Sequence, residues 1–213
     1  MPEPSPPKRA MCAACLRPGA TCICPFVTRV SAAVELLVLQ HPMETGNAKG
    51  SAQLLHLCLA GSRIASGETF AEGALHELLY GGGRRPVLLY PETPDERSLG
   101  LVAPPAFDSR WRDDPASLRL VVLDGTWRKS RKMLYLNPLL QGLPRLPLSQ
   151  VPPSLYRIRK AHAPDQLSTL EATCYALMQL EQDGERFQPV LDAFERFVGR
   201  YEEAAVQHAI KRA

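Results

Sequence analysis

The stretch LDGTWRKSRKML (123–134) puts one carboxylate, Asp124, at the end of an apolar run, and four cations follow it: Arg128, Lys129, Arg131 and Lys132. An acid at the end of an apolar strand is costly to bury without a partner. Two readings account for it. In one, Asp124 or Thr126 caps a helix that starts at Trp127, its side-chain oxygen accepting backbone N–H bonds. In the other, Asp124 belongs to a reactive site and the cations beside it hold an anion. Cations in the first helical turns oppose the macrodipole, whose positive end already lies there. Their concentration therefore suits an external negative charge such as a nucleic-acid backbone. Trp127 fits either stacking on a base or packing in a core.

Two later segments carry more polar function than a scaffold needs. In PPSLYRIRKAH (152–162), an extended chain places Arg157 and Arg159 on one face, with Lys160 beside them. Such a pair suits phosphates or the carboxylate of a small cosubstrate. In STLEA (168–172), Ser168 is a natural N-cap with Glu171 at the reciprocal position. The helix N-terminus that follows also offers free N–H groups to an anion.

Four cysteines, Cys12, Cys15, Cys22 and Cys24, form a CxxC and a CxC separated by a Pro18-Gly19 turn. The N-terminus MPEPSPPKRA has no apolar core of a secretion signal, so cytoplasmic residence is expected. In that setting the cluster reads as a structural zinc site rather than as disulfides. A redox CxxC would open a helix after a strand, and this one lies in a Pro/Gly-rich loop ahead of any strand. With four protein ligands the site has no open position, so it is expected to staple a small knuckle that helps hold the substrate. Cys58 and Cys174 stand alone in helical stretches and read as small buried hydrophobes.

The elements that must position these groups follow from hydrophobic patterning. VELLVLQ (34–40), RPVLLYP (85–91) and LRLVVLD (118–124) are continuously apolar strands, and PRLPL (144–148) is a short candidate. Helices are expected over Lys49–Ala60, from Trp127 to about Asn137, over Ser168–Gln182 and from about Gln188. Strands without alternation, separated by helices, imply an α/β fold whose mostly parallel sheet is covered on both faces. Ligands in such folds bind beyond the carboxyl ends of the strands, where His41, Pro91 and Asp124 lie. Residues 92–117 read as an exposed insertion, and GGGRRP (81–86) as a flexible connection in the wrong order for a phosphate loop. The expected organisation is a disordered tail at 1–10, a zinc-binding knuckle at 11–30 and a catalytic domain at 31–213.

Composition narrows the class. No apolar run reaches the ~18 residues of a membrane helix. Net charge is +3, yet between Asp124 and Lys160 there are eight Lys/Arg and a single acid. That stretch of the chain is expected to face something anionic.

In order along the chain, the CxxC…CxC cluster, HPxE at His41–Glu44, D-x-T-W at Asp124–Trp127 and SLYRIRK…STLEA resemble the DTW-domain family. The resemblance runs from Cys12 to the helix after Glu171. D-x-T-W alone is a weak pattern; the ordered set is specific. The chain departs from many relatives in reading GNAKGSAQLL where they carry an Asn-Thr pair after HPxE.

The resemblance implies a tRNA-uridine aminocarboxypropyltransferase. Such an enzyme moves the 3-amino-3-carboxypropyl group of S-adenosylmethionine to N3 of a uridine in tRNA and releases methylthioadenosine. It also implies a SPOUT-like fold with a C-terminal knot. On this reading Asp124, Thr126 and Trp127 are the catalytic candidates. Pro91, Leu148, Tyr156, Arg159, Lys160, Ser168, Thr169 and Glu171 are expected around the cosubstrate. Arg128, Lys129, Arg131, Lys132 and Arg157 are expected on the RNA, with zinc on the four clustered cysteines. Asp124 either withdraws the uridine N3 proton or faces the sulfonium or amino group as a fixed charge. Two other classes stay open: a SPOUT-like RNA methyltransferase and a non-catalytic zinc-containing RNA-binding protein. Oligomeric state is open as well.

Overall fold

Seven consecutive residues, Leu118–Asp124, are all buried, because the strand they form is the middle of a sheet covered on both sides. The structure is a computed structural model describing residues 10–91, 104–154 and 167–210. Its elements run β1 (Glu35–Gln40), α1 (Ala52–Cys58), β2 (Arg63–Ser66), α2 (Glu72–Tyr80), β3 (Arg85–Leu89) and β4 (Leu118–Asp124). They continue as α3 (Trp127–Leu136), α4 (Pro138–Gln141), β5 (Arg145–Leu146), α5 (Thr169–Glu181) and α6 (Gln188–Ile210). The five strands pair in the order β2-β1-β4-β3-β5, every pair parallel. The α/β expectation holds.

Side chains alternate across the sheet into two cores. Leu36, Val38, Val87, Leu120 and Val122 face α1, α5 and α6. Leu37, Leu39, Leu88, Val121 and Leu123 face α2, α3 and α4. Burial on both faces is why the strands read as continuous apolar runs. Cys15 and Ile23 belong to the first core, so the cysteine knuckle packs against the body of the protein.

Some expectations shift. The edge strand β2, RIAS, gave no apolar run because it is only partly buried. The strand expected over 144–148 narrows to Arg145–Leu146. In the segment read as an exposed insertion, Phe107 and Trp111 are partly buried against the first core, their rings edge to face with centroids 5.7 Å apart. The GGGRRP connection is a short turn in which Gly82 and Gly83 take φ of 77° and 71°, values that favour glycine.

The sheet has a structural end and an open end. At the amino end of β4 the nearly buried Arg119 meets Glu35 and donates to the carbonyls of Leu78, Leu79 and Gly81, tying off α2. At the carboxyl end, β1 leads into α1 on one face while β4 leads into α3 on the other. The two chains diverge there, leaving the crevice in which parallel α/β sheets place ligands.

Candidate active site

Parallel pairing sets Gln40 of β1 opposite Asp124 of β4 at that crevice. Gln40 Nε2 donates to Asp124 Oδ2 at 2.8 Å, and Thr169 Oγ1, from the start of α5, donates to Oδ1 at 2.6 Å. Asp124 is buried, and its backbone carbonyl accepts from His41 N. Each carboxylate oxygen thus has one neutral donor, which orients the group. The chain turns sharply at Gly125, where a Cβ would come within 3.1 Å of Lys129 Cβ. The cap of α3 is Thr126, whose hydroxyl accepts from Lys129 N. Asp124 is left free of the capping role that sequence alone allowed it.

A cleft of about 470 Å³, open mouth included, lies beside the carboxylate. Among the described residues it is lined by Glu44, Asn47, Lys49, Gly50 and Ser51 after β1, by Asp124 and Gly125, and by Thr169. Of the cosubstrate candidates, Thr169 lines it. Ser168 and Glu171 form a reciprocal cap: Ser168 Oγ accepts from Glu171 N, and Glu171 Oε2 accepts from Ser168 N at 2.7 Å. The fully buried Glu171 carboxylate also accepts from Ser154 Oγ, at 2.9 and 3.1 Å. These two residues anchor the helix start rather than line the cleft. Leu148 is partly buried against the first core, and Pro91 directly follows the buried Tyr90. Tyr156, Arg157, Arg159 and Lys160 lie outside the described residues.

The basic helix resolves into two kinds of cation. Lys129 Nζ pairs with Glu44, the acid of HPxE, at 2.7 Å, and Lys132 Nζ pairs with Glu68 at 2.8 Å. Glu68 also meets His41 Nε2 at 2.9 Å. His41 Nδ1 accepts from Met43 N, so Nε2 carries the proton and donates to Glu68. Hydrogen bonds from Lys132 and His41 hold the Glu68 carboxyl below its ordinary range. Arg128 and Arg131 are exposed and have no ion pair among the described residues. Trp127 is 52% exposed, with its ring edge to face with Tyr90 at 6.0 Å, so it is no core residue.

Sequence reasoning missed Gln40 and Glu68. Gln40 is a polar residue closing an apolar run directly before His41-Pro42, as Asp124 closes its own run, and that is the one signal it carried.

Away from the cleft, the four clustered thiols have all their sulfurs within 4.8 Å of one another. Cys12–Cys24 and Cys15–Cys22 are 3.6 and 3.7 Å apart. A tetrahedron with Zn–S bonds of about 2.3 Å needs edges of about 3.8 Å, so the set fits that ion. Backbone N–H groups of Cys15 and Ala14 bring the Cys12 thiol down to about 6, while desolvation and the neighbouring thiols push Cys24 up to about 12. Four adjacent thiolates need a cation to coexist. Cys58 and Cys174 are buried and burial pushes both thiols up, as expected of inert core cysteines.

The DTW domain pattern matches residues 9–202, nearly the whole chain. The chain belongs to the DTW domain family. Relatives of this DTW domain include "tRNA-uridine aminocarboxypropyltransferase 2" of Macaca fascicularis, 26% identical over 182 residues that cover 83% of this chain and 58% of that protein. The protein of the same name from Drosophila melanogaster is 30% identical over 192 residues, 87% of this chain and 72% of the relative. "tRNA-uridine aminocarboxypropyltransferase A" of Arabidopsis thaliana is 25% identical, covering 91% and 83%. This DTW domain spans under three fifths of the macaque protein's length. No solved structure matches it significantly. Among its described residues, no helix is long and apolar enough to cross a membrane.

Proposed function

We propose that this DTW domain transfers the 3-amino-3-carboxypropyl group of S-adenosylmethionine to N3 of a uridine in tRNA. The observation that carries the reading is Asp124, a carboxylate held by Gln40 and Thr169 over a cleft at the sheet's switch point, beside two exposed arginines. The names of its relatives supply the reaction.

In that reaction a uridine N3 lone pair displaces the sulfonium at the adjacent methylene. The new N–C bond forms as the C–S bond breaks, methylthioadenosine leaves, and the N3 proton is lost. The step depends on alignment, which a rigid pocket supplies. Asp124 either takes the N3 proton as a general base or stands as a counter-charge to the sulfonium. Thr169 and Gln40 keep it aimed in both cases. Thr126 sets the turn and Trp127 offers an exposed ring to a base. Arg128 and Arg131 take tRNA phosphates, and Arg157 joins them. Tyr156, Arg159 and Lys160, with Pro91 and Leu148, complete the cosubstrate side. Zinc on Cys12, Cys15, Cys22 and Cys24 holds a knuckle at 11–30 against a catalytic body at 31–213. The reading includes a SPOUT-like C-terminal knot and a cytoplasmic protein.

Nucleoside mass spectrometry on unmodified tRNA incubated with the protein and S-adenosylmethionine tests it, with Asp124→Ala beside it. A uridine gaining the aminocarboxypropyl group and a silent variant are the expected result. A methyl gain with S-adenosylhomocysteine released would make the protein a methyltransferase. No gain despite tRNA binding would make it a binder.

A further inference from the structure

One wall of the cleft, residues 47–51, has neither a strand nor a long helix to satisfy its carbonyls. Its conformation rests instead on a side chain from the cysteine knuckle. Arg17, two residues after Cys15, donates from Nη1 to Ala48 O at 2.6 Å and from Nη2 to Gly50 O at 3.1 Å and Asn47 O at 3.3 Å. It is buried, with its guanidinium 5.8 Å from the Phe197 ring centre. Tyr201 of α6 places a second donor on Ala48 O at 2.5 Å.

A buried guanidinium is an expensive way to brace a loop. Its value lies in a rigid fork of donors that reaches several acceptors at once. The three carbonyls belong to the stretch whose Asn47, Gly50 and Ser51 line the cleft, so the shape of that wall follows the position of Arg17. That position is set by the knuckle. Cys12 N donates to Arg17 O, Leu16 N donates to Cys12 O, and Leu16 takes a left-handed φ of 56°. Arg200 of α6 donates to the Cys22 and Ala20 carbonyls and secures the other side of the knuckle.

We propose that Arg17 is a positioning residue through which the cysteine knuckle shapes the cosubstrate wall of the cleft, so that the knuckle serves cosubstrate binding rather than RNA contact. The inference rests on S-adenosylmethionine being the ligand of this cleft. It differs from the usual use of a zinc knuckle as a nucleic-acid grip, because the knuckle's reach into the site ends on backbone carbonyls behind the pocket wall.

The test compares wild type, Arg17→Ala and Arg17→Lys as full chains, each checked for zinc content and thermal transition. Binding of S-adenosylmethionine is measured by calorimetry, tRNA transcript binding by filter retention, and single-turnover rate at saturating cosubstrate. Arg17→Ala is expected to weaken cosubstrate binding about tenfold, the scale of losing hydrogen bonds from a charged group. Binding of tRNA and the saturated rate stay at wild-type level, and Arg17→Lys recovers part of the affinity. Stripping zinc weakens cosubstrate binding in wild type and adds little in Arg17→Ala, since both act through one link. Wild-type cosubstrate affinity in Arg17→Ala overturns the inference, as does a loss confined to tRNA binding. If Arg17→Ala does not fold, hydrogen exchange over 46–51 in wild type decides: faster exchange on zinc removal supports the link, and unchanged exchange removes it. A wild type that binds no S-adenosylmethionine sinks the assignment of the cleft itself, and the inference with it.

Discussion

Asp124 accepts one donor on each oxygen, so Asn keeps the side chain's size and removes its charge, with its amide N–H turned to the Thr169 hydroxyl, which can rotate to accept. Asp124→Asn is expected to slow transfer by about a hundredfold to ten-thousandfold, the range of a lost general base. A loss that appears instead as weaker cosubstrate binding would assign the charge to the sulfonium. Glu68 gives a second prediction. Its carboxyl is depressed by Lys132 and His41, so its contribution is present above the unfolded value of about 4.3 and is lost as pH falls through the lower folded value. Melting curves of wild type and Glu68→Gln are therefore expected to differ at neutral pH and to converge in acid; a gap that persists at low pH would contradict the pairing. At this scale the sequence was half legible. An acid ending an apolar run announces itself. Its partners Gln40 and Thr169 lie 84 and 45 positions away and meet it only through strand pairing and the docking of α5.

Helix α3 was legible as basic but not as sorted. Four cations close together predict anion binding, whereas the acids that neutralise two of them come from the loops after β1 and β2. Arg128→Ala and Arg131→Ala are each expected to reduce the slope of log affinity for tRNA against log salt by about one. Lys129→Ala and Lys132→Ala are expected to leave that slope nearly unchanged and to lower the thermal transition slightly. Equal slopes for all four variants would mean that RNA competes the lysines away from Glu44 and Glu68. In α5, the Ser168–Glu171 cap was readable because both partners are local. Strand β2 was not, since two partly buried residues between two exposed ones at a sheet edge carry no hydrophobic pattern.

For the molecule as a whole, continuous apolar strands between helices disclosed a covered parallel sheet. Strand order stayed hidden, because it depends on which strands meet across long separations and local periodicity does not record that. The cysteine spacing disclosed four thiols placed where they could hold a metal, but the route from knuckle to cleft needed the reach of Arg17. Chelation is expected to lower the thermal transition, because a metal bound only to the folded state adds its binding free energy to stability. An unchanged transition in calorimetry would mean that the thiols hold the knuckle unaided. Glu171 has a consequence of another kind. Ser154 and Ser168 both donate to its carboxylate, so two separated points of the chain are tied to one buried group. A segment closed at its base can change length at little entropic expense, about 0.6 kcal/mol for each doubling. Insertions between these two serines would thus lengthen the chain while leaving Thr169 and Asp124 where they are.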